Sequence, residues 1–157
     1  MPHLAGRSFI PLGLFARLPL AMLTVGALTL VTSVTGSYAL GGTAAGSVGI
    51  GSALGAPVFG ALADRKGQRP VLLVAAVLNS LAVLALIGTA WALPEAESFP
   101  VAVIAAAFLA GASCPQVGPL ARVRWMALTS RGKDAGKDLD TAMSYEGTAD
   151  ELTFVLG

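Results

Sequence analysis

An all-α integral membrane protein with four transmembrane helices is the fold class this sequence predicts, and three observations predict it. The chain is 55% hydrophobic and only 12% charged over 157 residues, where soluble domains run nearer a quarter charged. The shortage is concentrated: residues 18–63, 70–94 and 98–121 contain no Asp, Glu, Lys or Arg. The basic residues that remain all fall on one side of the topology that those tracts define.

A helix rises about 1.5 Å per residue and the hydrocarbon core is about 30 Å thick, so one crossing takes about 20 apolar residues. Residues 1–16 form a cytoplasmic tail, and the spans are expected near 17–39, 43–63, 71–92 and 100–121. The first tract holds two crossings, and Gly41 and Gly42 are expected to supply the turn between them, glycine being a poor helix former. Arg7 and Arg17, an apolar run and Ser37-Tyr38-Ala39 imitate a cleaved secretory signal. The run exceeds the 7–15 apolar residues of such signals and a second follows at once, so an uncleaved span is expected.

Thr29, Thr32, Ser33 and Gly36 lie at i, i+3, i+4 and i+7 of the first span, on one helical face. Such a stripe either packs on another helix or lines a water-filled path, and packing is the commoner use. Asn79 and Gln116 are further polar groups able to face a cavity. In the second span Ser47, Gly51 and Gly55 repeat every four residues, a ridge that lets a partner helix approach closely. The fragment Gly46-Ser47-Val48-Gly49-Ile50-Gly51 has the wrong glycine order and the wrong context for a dinucleotide-binding turn.

With four spans, the N-terminus, the loop at residues 64–70 and everything after 121 share one side. All ten basic residues, Arg7, Arg17, Arg65, Lys66, Arg69, Arg122, Arg124, Arg131, Lys133 and Lys137, are there, and Glu95 and Glu97 are opposite. Cytoplasmic loops hold the excess of Lys and Arg, which places the N-terminus of this multi-pass protein in the cytoplasm. Trp91 and Trp125 sit at span ends, where an amphipathic ring suits the headgroup region.

The loop between spans two and three is the densest charge cluster. Gly67 suits a tight reversal and Pro70 the first turn of a helix, and the basic residues hold the loop in the cytosol. Asp64 is left over, because an acid at a helix C-terminus opposes the dipole. Gly60-Ala61-Leu62-Ala63-Asp64-Arg65-Lys66-Gly67-Gln68-Arg69-Pro70 resembles motif A of the major facilitator superfamily, G-x-L-A-D-R-x-G-R-[KR]-x, with Gln68 departing from the common basic residue. Gly111, Pro115, Gly118, Arg122 and Arg124-Trp125 resemble the end of the fourth span in bacterial efflux-like members.

The resemblance implies twelve spans in two six-helix halves that alternate access around a central cavity. It also implies that Asp64, Arg65 and Arg69 hold the two halves together at the cytoplasmic face, with Gly60 and Gly67 as geometric requirements. On this pattern the chain is part of the N-terminal half. Residues 122–146 are a cytoplasmic loop, and residues 147–157 begin a fifth span, too short to cross. Asp150 and Glu151 are then candidate partners for Arg65, Arg69, Arg122 or Arg124 across the cytoplasmic face.

The expected function is secondary active export of a small molecule across the cell membrane by a transporter of which this chain is a truncated part. The partners are the lipid bilayer, the remaining helices and a proton as coupling ion. No ionisable residue lies within the four spans, so a proton relay has to use span edges or the missing helices. A non-transporting four-helix scaffold is the alternative. Enzyme chemistry is not expected: His3 is the only histidine, Cys114 the only cysteine, and no carboxylate pair sits at membrane depth. No metal, cofactor or nucleic-acid partner is implied.

Overall fold

The computed structural model describes residues 18–92 and 100–115, together with helical positions 126, 140, 143–145, 147–148, 151–152 and 155. Four helices are delimited: α1 (Leu18–Thr35), α2 (Tyr38–Lys66), α3 (Gln68–Trp91) and α4 (Val101–Ala112), with no strand among the described residues. The chain divides into two units. Met22–Pro115 holds most of the helical packing, and Met1–Ala21 with Gln116–Gly157 forms the other, in which the described positions beyond 116 are helical and exposed or half-buried.

The first turn is not where low helix propensity placed it. Gly36 takes the left-handed region at φ 68° while its N–H still donates to the Thr32 carbonyl (2.8 Å). Ser37 then turns extended and its hydroxyl accepts the Leu40 N–H (3.3 Å). A glycine just past one helix followed by a serine N-cap on the next is a complete local stop and start. Gly41 and Gly42 lie inside α2. Where no water competes for backbone groups, a glycine-rich segment keeps its helical hydrogen bonds because nothing else can satisfy them.

Gly41 instead serves contact. A Cβ there would run into the Thr32 hydroxyl of α1 and lie 2.8 Å from the Leu28 carbonyl. Of the expected α2 ridge, Gly51 and Gly55 are buried. Gly41, Ala44, Val48, Gly51, Gly55 and Ala63 are the buried positions of α2, whereas Ser47 is half-buried at the edge and bonds back to the Thr43 carbonyl (2.8 Å).

The partner of that ridge is α4, seated against α2 and α3. A Cβ on Gly51 would meet the Phe108 carbonyl and one on Gly55 the Ala112 carbonyl, while a Cβ on Gly111 of α4 would meet the Val48 carbonyl of α2. The core is built from Ala27 and Val31 of α1, Ala44 and Val48 of α2, Leu86 and Ala90 of α3, and Val103, Ala106 and Ala107 of α4.

Large apolar side chains point the other way. Leu73 is 69% exposed and Val58 and Leu84 are 65% exposed, with Leu81, Val77, Leu54 and Ile50 close behind. Small residues inside and large hydrophobes outside is the pattern of helices that associate by close backbone contact in lipid, where burying a leucine offers no gain over leaving it against acyl chains. In water so large an apolar surface is an association site.

Two helices are long and apolar enough to cross a membrane, α2 with 29 residues and α3 with 24, which at about 1.5 Å per residue extend about 43 and 36 Å. The described α1 and α4 have 18 and 12 residues. The α4 helix ends at Ala112, ahead of Pro115, which has no N–H to continue the ladder and disfavours helical backbone at Cys114, and residues 116–121 of the expected fourth span lie outside the described residues.

Candidate functional site

The charged turn joins α2 to α3 through one non-helical residue. Gly67 caps α2, its N–H donating to the Ala63 carbonyl (2.9 Å), and stands at φ 89°, ψ 152°. That region is open essentially to glycine alone. The reversal therefore requires Gly67, and the same residue starts α3, so Asp64, Arg65 and Lys66 sit on the last turn of one helix and Arg69 on the first turn of the next.

Asp64, Arg65, Lys66 and Arg69 are all exposed, and among the described residues none forms an ion pair. Arg65 and Lys66 complement the negative end of α2, an effect of about 0.3–1 kcal/mol each. Asp64 at that same end and Arg69 at the positive end of α3 are both opposed by their own helices. Local structure thus accounts for Arg65, Lys66 and Gly67 and leaves Asp64 and Arg69 presented outward at a disadvantage. Gly60 is half-buried, and a Cβ there would meet nothing within 4 Å, so these helices do not require glycine at that position.

The polar stripe of α1 separates into two kinds of residue. Thr29 donates to the Val25 and Gly26 carbonyls (2.9 and 3.1 Å) and Ser33 to the Leu30 carbonyl (2.8 Å), both from exposed positions. Thr32 is half-buried against Gly41, and its enclosed Oγ1 has no hydrogen-bond partner. Because that hydroxyl bonds to nothing, Thr32→Val is expected to leave thermal stability in detergent unchanged or to raise it by about 1 kcal/mol. A loss of stability there would mean that the hydroxyl has a partner in the assembled protein.

Asn79 makes a bond between helices. Its amide Nδ2 crosses from α3 and donates to the Ala110 carbonyl of α4 (2.7 Å), beside a second crossing bond from Ser52 of α2 to the Gly111 carbonyl (3.2 Å). Ser52 was not singled out from the sequence. The proline five residues after Ala110 was the available signal, since it removes the N–H that Gly111 would otherwise bind.

Gln116, Arg122, Arg124 and Asp150 lie outside the described residues, as does Trp125, and Glu151 is an exposed helical residue. Trp91 is exposed at the last position of α3. Among the described residues no group of His, Cys, Asp or Glu is arranged to hold a metal ion.

In comparisons with known proteins, a family model described as Major Facilitator Superfamily matches residues 9–157. No curated protein and no solved structure matches the chain.

Proposed function

Because this chain belongs to the major facilitator superfamily, we propose that it is the N-terminal portion of a bacterial efflux-like member that exports a small molecule. It would do so by secondary active transport across the cell membrane, with a proton as coupling ion. The observation that carries this reading is the pair Asp64 and Arg69, exposed on either side of a glycine-only reversal and each opposed by its own helix dipole. Charges so placed are of use to a partner outside the hairpin. In this reading the partner is the second half of the transporter, docked at the cytoplasmic face in one state of the cycle and released in the other.

The topology proposed with it has four spans, the N-terminus and the α2–α3 turn in the cytoplasm, and a fifth span beginning at residue 147. Gly60, with open space around it, then leaves room for the opposing helix. Thr29 and Ser33, exposed on α1, are the polar groups offered to a central pathway; Arg122, Arg124, Asp150 and Glu151 are candidate charge partners at the cytoplasmic face.

The test is flux in proteoliposomes carrying the full-length gene product. Substrate efflux driven by a proton gradient is expected, and Asp64→Asn is expected to cut the rate. Removing about 1–2 kcal/mol from one state shifts the balance about 5- to 30-fold. No flux for any of a broad solute panel, with Asp64→Asn changing nothing, would count against both the transport reading and the role of Asp64.

A further inference from the structure

The last carbonyls of α4 are not all served by their own helix. Pro115 has no N–H for the Gly111 carbonyl, and the Cys114 N–H, which an uninterrupted α-helix would aim at Ala110, donates to Gly111 (3.1 Å). Leu109 keeps its helical partner, the Ser113 N–H (2.9 Å), and adds the Ser113 hydroxyl (2.7 Å). Gly111 has the Cys114 N–H and the Ser52 hydroxyl of α2 (3.2 Å). Ala110 differs from both. Among the described residues its short bond is to the Asn79 amide of α3 (2.7 Å), with the Ser113 hydroxyl out at 3.5 Å. Ala110, Gly111, Ser113 and Cys114 are all buried.

The depth of this helix end gives the arrangement its weight. Asn79 stands eleven residues from the start of α3 and twelve from its end, and Ser52 fourteen from either end of α2. Both helices are long and apolar enough to cross a bilayer, so their midpoints lie about 16–21 Å from either helix end. In a surface loop water would bond a carbonyl that its helix had released. At the middle of the hydrocarbon the donor has to come from the protein.

We propose that Asn79 is the C-cap of α4, supplied from another helix, and that Asn79 and Pro115 work as a pair. The proline ends the helix inside the bilayer, and the asparagine supplies the donor that this ending removes from Ala110. Asn79 is thus a positioning residue for the end of α4, needed for as long as residue 115 is proline. Ser52 is the lesser partner, because Gly111 keeps the Cys114 N–H without it. The amide orientation is fixed as well: a carbonyl only accepts, so the NH₂ group of Asn79 faces Ala110. The inference rests on α2 and α3 crossing the bilayer and is independent of which solute is carried.

A double-mutant cycle read by reversible unfolding of the chain in mixed micelles tests the pairing. Asn79→Leu is expected to raise the unfolding equilibrium constant about 3- to 20-fold, the range of hydrogen bonds between membrane helices. In the Pro115→Ala background the helix can run on, with Ala110 and Gly111 taking the N–H groups of residues 114 and 115. There Asn79→Leu is expected to change the constant by less than about twofold. Ser52→Ala should stay below about twofold in both backgrounds. An equal cost of Asn79→Leu in the two backgrounds, or no cost with Pro115 in place, overturns the cap. Should Asn79→Leu fail to assemble, the Asn79→Leu/Pro115→Ala chain decides: recovery supports the pairing, and a second failure overturns it. Asn79 is also the only asparagine, so ¹⁵N-asparagine labelling of the unaltered chain in lipid nanodiscs reports one side-chain amide. Its protons are expected to be protected from exchange, one of them shifted downfield by Ala110, and the signature of a freely solvated asparagine overturns the assignment.

Discussion

Gly51→Val is expected to prevent α2 and α4 from reaching their native separation and to destabilise the Met22–Pro115 unit by about 3 kcal/mol or more, at or beyond the upper end of ordinary overpacking. The reason is the nature of the obstacle. A first side-chain carbon at Gly51 would meet the Phe108 carbonyl and stand 2.8 Å from the Ala112 nitrogen. These are backbone atoms of a helix, which cannot rotate aside as a side chain can. Gly111→Val attacks the same contact from the α4 side, where a Cβ would lie 2.8 Å from the Val48 carbonyl carbon and Cα, and it should fail equally. Gly46→Ala and Gly49→Ala put carbon on the same helix where nothing lies within 4 Å. They should be neutral or gain up to about 1 kcal/mol from helix propensity. Unfolding followed by detergent titration in mixed micelles separates the two groups. Equal behaviour of Gly49→Ala and Gly51→Val would show that α2 and α4 do not approach through these glycines.

Gly67→Ala is expected to break the α2–α3 reversal. At φ 89°, ψ 152° an L-residue carries strain of about 1–3 kcal/mol, and the chain relieves it most easily by unwinding the end of α2 or the start of α3. Either response moves Asp64 and Arg69 relative to each other, so transport should fall along with stability. Gly60→Ala is the informative contrast: nothing within the unit meets the added methyl, so stability should hold. Flux should still fall if another helix docks over that face. Thermal denaturation paired with proteoliposome flux distinguishes them, and a Gly67→Ala protein with full stability and full flux would remove the conformational argument for this glycine.

Much of the candidate site was legible because motif A is contiguous. Gly67, Pro70 and the four charges could be assigned to a helix–turn–helix junction from spacing, and the junction lies there. Gly60 was legible only as part of that pattern, since these four helices impose no demand on it. The α1–α2 turn was misplaced because propensity ranks Gly41-Gly42 as the weakest helical pair, whereas Gly36-Ser37 supplies a left-handed stop and a hydroxyl cap. Local hydrogen-bond chemistry outweighed propensity. Asn79 illustrates the other limit: a polar residue in an apolar span reads equally as cavity lining or as a crossing bond, and only the position of the Ala110 carbonyl on α4 reveals the crossing bond.

What the sequence by itself determined is whatever depends on one segment and its solvent: helices in place of strands, tracts of membrane length, a charged reversal between two of them, and membership in a transporter family. Those follow from the thickness of hydrocarbon, the cost of moving charge into it, and residues adjacent along the chain. Only the tertiary structure decided that Gly41 and Gly111 also let helices touch, which backbone atoms of α4 Gly51 and Gly55 meet, and where the carbonyls freed by Pro115 find donors. Each of these depends on the rotation and approach of a second helix, and in lipid that approach is governed by backbone-to-backbone fit rather than by hydrophobicity, which every face of these helices shares.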